Sequence, residues 1–164
     1  MDRLILLRHG KAEADAVSGQ DFDRALTDRG RRDTLVVCKA LAEAGIHPDL
    51  ALVSPAARAV QTWELAATVF TRAVFKIVPA LYEIAPAQIL KIAHSEGGAA
   101  RTVMIVGHNP GLGALSVRLA QEARGSIDGL SRIEMGFPTG AASVIGFDPP
   151  SFELYTPKVL EGRA

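Results

Sequence analysis

Cysteine is almost missing from this chain: Cys38 is the only one in 164 residues. No internal disulfide can form, so the fold rests on its apolar core and suits a reducing compartment. Cys38 lies in the apolar stretch Leu35-Val36-Val37-Cys38 and reads as a buried structural thiol, not a nucleophile. Surplus charge is missing too, with 18 basic residues against 18 acidic ones. A general nucleic-acid or anionic-membrane binder carries a basic excess, so neither partner class is expected, although a small local basic site is allowed. No apolar run approaches the length of a membrane span, and Met1 to Leu7 is too short for a signal peptide. The four histidines show no metal-ligand spacing. These absences predict a soluble, cytoplasmic, single domain over residues 1–164, long enough to bury a sizeable core.

What the chain does have is a set of short apolar runs that stop at chemistry-bearing residues. Leu4-Ile5-Leu6-Leu7 reads as a buried strand and ends in Arg8-His9-Gly10. Thr102 to Val106 does the same and ends in Gly107-His108-Asn109-Pro110. Asp49 to Val53 and Val74 to Val78 are two further strands. Thr27 is the expected N-cap of a helix running to about Ala44, with Gly45 as its stop. Ser54 and Pro55 form an N-cap and first position for a second helix, and Asn109 and Pro110 repeat the arrangement for a helix to about Ala123. Pro86 opens another that stops near Gly97-Gly98. Ala141 to Phe147 and Ser151 to Tyr155 form a terminal strand pair at a sheet edge, because prolines lie between them. Gly125 to Phe137 has no clear pattern, and the segment 125–140 is left open as a possible border of the site. Alternating strands and helices imply an α/β fold, a three-layer α/β/α sandwich with a mainly parallel sheet.

Ligands of open α/β sheets bind beyond the carboxyl ends of the strands, where Arg8, His9 and His108 fall. A neutral imidazole is a competent nucleophile towards phosphorus, and the adjacent arginine points to an anion, a phosphate. Arg58 stands one turn into the second helix, where its guanidinium can grip two phosphate oxygens. The helix dipole disfavours a cation there, which also speaks for an anionic partner. His108 as imidazolium would neutralise a phosphoryl group and its transition state. Singly, each residue has an ordinary reading: a strand-to-loop junction, a solvated charge, a hydrogen-bonded core histidine. Together they converge on one phosphate site. Lys11, His47 and His94 read as surface residues and Trp63 as core, while Arg24 either reaches the pocket rim or forms a local salt bridge.

Arg8-His9-Gly10, Ser54-Pro55-Ala56-Ala57-Arg58-Ala59-Val60-Gln61-Thr62 and Gly107-His108-Asn109-Pro110, in this order, resemble the histidine phosphatase superfamily. The short length and Asp23-Arg24-Ala25-Leu26-Thr27-Asp28-Arg29-Gly30 make the chain most similar to the SixA-type phosphohistidine phosphatases. The resemblance spans Leu4 to Gly113 and implies a phosphoglycerate mutase-like fold. It implies His9 as phospho-accepting nucleophile, with Arg8, Arg58 and His108 completing the phosphate pocket. Glu83, in Leu81-Tyr82-Glu83, is the implied general acid, and neither a metal nor an organic cofactor is implied. The implied reaction removes the phosphoryl group from a protein phosphohistidine, as in a phosphorelay of bacterial signal transduction. A small-molecule phosphomonoesterase dependent on Glu83 is one alternative, and a non-catalytic phosphate-binding module is another. Two features favour the first reading. No long insertion caps the site, and a leaving imidazole, with a free pKa of about 6.5, needs little help from an acid.

Overall fold

In the computed structural model, which describes residues 1–123 and 127–158, each of the apolar runs is a strand. They are β1 (Arg3–Arg8), β2 (Leu50–Val53), β3 (Val74–Ile77), β4 (Thr102–Gly107), β5 (Ala142–Phe147) and β6 (Pro150–Tyr155). The described residues form one sheet in the order β3-β2-β4-β1-β5-β6. The first four strands of that order run parallel, and β5 and β6 add antiparallel. The helices are α1 (Asp28–Glu43), α2 (Ala57–Val69), α3 (Pro86–Gly97), α4 (Gly111–Glu122) and α5 (Ile127–Glu134).

Alternation along the strands divides the core between two faces. Leu4, Leu6, Val103 and Ile105 pack with Ile89, Leu112, Leu115 and Ile133 from α3, α4 and α5. Ile5, Leu7, Met104 and Val106 pack on the other face with Val37, Leu41, Ala59 and Trp63 from α1 and α2. This is the expected three-layer sandwich with a mainly parallel sheet. Cys38 belongs to the second cluster, where burial pushes its thiol up to about 12, so it is inert at neutral pH. No helix among the described residues is long and apolar enough to cross a membrane.

Local signals set most boundaries. Thr27 caps α1 by accepting the Gly30 N–H at 3.0 Å, and Gly45 takes the left-handed conformation, φ 72°, just past its end. Pro86 opens α3. The proline-containing β6 lies at a sheet edge, because proline cannot donate to a ladder.

Two helix starts differ from expectation. Ser54 does not cap α2, which begins at Ala57 with Ala56 before it and no side-chain cap. The Ser54 N–H continues the β2 ladder to the Val106 carbonyl, and its hydroxyl is engaged by His108. Helix α4 begins at Gly111 rather than Pro110, although the Asn109 side chain still accepts the Gly113 N–H at 3.1 Å. The patternless stretch contains α5, whose Ile133 joins the core. Residues 125 and 126 of it lie outside the described residues.

Candidate active site

Strand register brings the two histidines together. Arg8 pairs with Gly107 across β1 and β4, and the His9 N–H donates to the Gly107 carbonyl at 3.0 Å. His9 and His108 therefore leave adjacent strands at one level, with ring centroids 5.1 Å apart. Strand β2 ends beside them, which puts Ser54 within 2.7 Å of His108 Nε2. Arg58 enters from the first turn of α2 and is 6 % exposed.

His9 is buried. Its Nδ1 lies 2.7 Å from the Gly10 carbonyl. A carbonyl only accepts, so Nδ1 carries the proton and Nε2 is the free nitrogen. Burial, followed by the charges of Arg58 and Arg8, pushes His9 down to about 4 against that hydrogen bond. Burial, His9 and Arg58 push His108 down to about 3. The protein's own groups favour neutral His108, and a bound anion would shift the balance back towards the imidazolium that the sequence suggested for a phosphoryl-bound site.

Among the described residues, three buried side-chain nitrogens lack a protein partner: Arg8 Nε, Arg58 Nε and His108 Nδ1. Arg58 and His108 line this crevice, and the Arg8 charge acts on His9 beside it. An unpaired buried polar group costs about 1–3 kcal/mol, so such a concentration suits an oxyanion. The rest of each arginine is anchored. Arg8 Nη1 donates to the Phe137 carbonyl at 2.6 Å. Arg58 donates to the Asp21 carbonyl oxygen at 2.7 Å and to its carboxylate at 2.9 Å.

Asp21 and Tyr82 escaped the sequence reading. Tyr82 donates to the Asp21 carboxylate at 3.0 Å, and its ring stands edge-on to His108. Burial raises the Asp21 pKa, but hydrogen bonds from Arg58 and Tyr82 outweigh it and the net shift is downward. Arg24 also pairs with Asp21, three positions away, at 2.7 Å, which is the local salt bridge of its two expected readings. Only the Leu-Tyr-Glu spacing hinted at this group. Thr62 ties the turn after His9 to α2: its hydroxyl donates to the Arg58 carbonyl at 2.7 Å and accepts the Gly10 N–H at 3.0 Å.

Glu83 lines the same cavity of about 560 Å³, together with Asp21, Arg58, Tyr82 and His108. It is exposed and adopts a left-handed φ of 57°, which costs a non-glycine residue about 1–2 kcal/mol. Lys11, His47 and His94 are exposed, and Trp63 is in the core.

Both histidines have folded-state values below their ordinary 6.5. Between about pH 4 and pH 6.5 the unfolded chain therefore binds more protons than the folded one. Stability is expected to fall as pH is lowered through that window. Urea unfolding at pH 7 and pH 5 measures this, and His9→Gln should flatten the slope; an unchanged slope would sink the assignment.

Residues 4–90 match the histidine phosphatase superfamily (branch 1). An uncharacterised chloroplastic protein of Arabidopsis thaliana is 34 % identical over 119 residues, 66 % of this chain and 55 % of that protein. The chain thus spans about half the length of that relative. The crystal structure of a proposed phosphohistidine phosphatase SixA from Agrobacterium tumefaciens superposes with TM-score 0.77 at 29 % identity, covering 88 % of this chain and 91 % of that one. The protein histidine phosphatase SixA complexed with tungstate shares the fold, with TM-score 0.70 at 23 % identity over 96 % and 99 % of the two chains. The matched segment carries Arg8, His9 and Arg58 in the order and strand-end setting described above, and on that ground the chain belongs to the histidine phosphatase superfamily, branch 1.

Proposed function

We propose that this protein is a phosphohistidine phosphatase working through a covalent phospho-His9 intermediate. The observation that carries the reading is His9 held with Nδ1 on the Gly10 carbonyl, beside three buried nitrogens without protein partners. Nε2 of His9 attacks the phosphorus in line. The P–N bond to the substrate histidine breaks as the new P–N bond forms, and the electron pair returns to the leaving ring. That ring keeps a proton on its other nitrogen and departs as neutral imidazole. Donor and acceptor are both imidazoles, so the first step is nearly balanced and places little demand on an acid. Water then hydrolyses phospho-His9 and releases inorganic phosphate.

Arg8, Arg58 and His108 hold the phosphoryl oxygens and spread the transition-state charge. With the Ser54 hydroxyl donating to His108 Nε2, the His108 ring proton sits on Nδ1 and is available to a phosphoryl oxygen. The histidine itself takes the phosphoryl group, so the scheme uses no metal or organic cofactor. A phosphorelay histidine on a cytoplasmic signalling protein is the matching natural substrate.

Glu83 at the same cavity supports a second reading, a small-molecule phosphomonoesterase with Glu83 as acid. Phosphate release from a phosphohistidine peptide and from p-nitrophenyl phosphate, measured side by side, separates the two. The peptide is expected to be preferred by at least about tenfold in kcat/KM. Preference for the ester would reject the phosphohistidine reading and make Glu83→Gln the next variant.

A further inference from the structure

A second cavity, of about 610 Å³, opens beside the phosphate crevice, and of its lining residues Arg8 alone has a part in the proposed chemistry. Asn109 borders both cavities. The Phe137 carbonyl between them accepts from Arg8 at 2.6 Å and from Asn109 at 3.0 Å. Among the described residues, four cations, Arg8, Arg29, Arg132 and Lys158, line this cavity against one acid, Asp33. Asp33 is buried and already paired with Arg29 at 3.4 Å. In a chain with no net charge, this is a concentrated local excess of positive charge. The cations come from the end of β1, from α1, from α5 and from the segment after β6. Met135, 91 % exposed, stands at the rim, and an adaptable thioether suits a protein surface better than a free ion.

We infer that this cavity is a docking site for acidic side chains of the phosphorylated protein, next to its phosphohistidine. The inference rests on the proposed phosphatase reading. Arg8 joins the two sites: its charge acts on His9 and its side chain lines the docking cavity. A phosphohistidine entering the crevice would therefore bring its neighbouring residues over Arg132 and Lys158. The stretch 132–139 that forms much of this wall lies within the segment whose role the sequence left open.

The test uses two phosphohistidine peptides that differ only in flanking residues, aspartate and glutamate in one and lysine in the other. Wild type is expected to favour the acidic peptide by about tenfold or more in kcat/KM, chiefly through KM, and less so as salt rises. Arg132→Glu combined with Lys158→Glu should abolish that preference and leave p-nitrophenyl phosphate turnover unchanged. Lys158→Glu alone, at an exposed position, should reduce it, which guards against misfolding of the double variant. Equal turnover of the two peptides by wild type, or a preference kept by the double variant, overturns the docking site. Weaker inhibition of the double variant by pyrophosphate with an unaltered peptide preference would reassign the cavity to a small anion. Turnover of the ester but of neither peptide overturns the phosphohistidine reading, and the docking site with it.

Discussion

His9→Ala is expected to lower kcat by at least about 10³-fold, on the phosphohistidine peptide and on p-nitrophenyl phosphate alike. Arg8, Arg58 and His108 would still bind phosphate in this variant, but nothing would remain to accept the phosphoryl group. The fold should survive, because the His9 backbone N–H stays bonded to the Gly107 carbonyl and the core strands are untouched. Circular dichroism and tungstate binding measure fold and pocket separately from turnover. Trapping with labelled substrate should give an acid-labile, base-stable phosphoprotein in wild type and none in His9→Ala. A labelled intermediate in the variant, or near-normal turnover, would show that another residue is the nucleophile.

Gly30→Ala should be the most damaging single methyl group in the protein. Gly30 lies in the first turn of α1, and a Cβ there would stand 2.1 Å from the Lys11 carbonyl oxygen and 2.6 Å from the Lys11 nitrogen. Both are backbone atoms, and they cannot swing aside as a side chain can. Gly10 meets the same contact from the opposite side, since its Cβ would fall 2.5 Å from the Gly30 carbonyl oxygen. The backbone after His9 therefore lies directly on α1. Overpacking of this kind costs about 3 kcal/mol or more, or a drop of roughly 10 °C in Tm for a chain of this size. Activity should fall further than stability alone explains, because the displaced backbone carries the nucleophile. Gly97→Ala is the control: its Cβ would meet only a Val103 methyl at 3.3 Å, and its effect should stay below about 1 kcal/mol. Equal melting temperatures for the two variants would rule out the close contact.

Much of the architecture is legible because its causes are local. Continuous apolar runs of four to six residues suit strands buried on both faces, and Thr27, Gly45 and Pro86 act on neighbours within one helical turn. Arg8, His9 and His108 are legible for the same reason, as residues at the ends of such runs. Strand β3 shows where local reading stops. It is apolar enough to be a strand, yet all four of its residues are exposed, because it forms a sheet edge that no local pattern reveals.

The sequence by itself determined the strands, most of the helices, the layered α/β class and the four residues of the proposed phosphate site. Their causes are propensity, periodicity and capping, which act over a few residues. Only the tertiary structure decided what those residues touch. Arg58 reaches Asp21 across 37 positions, Ser54 at the end of β2 meets His108 across 54, and Phe137 anchors Arg8 across 129. The low pKa values of His9 and His108 belong to this second class. They come from burial and from charges on other elements, and neither exists until the chain has folded.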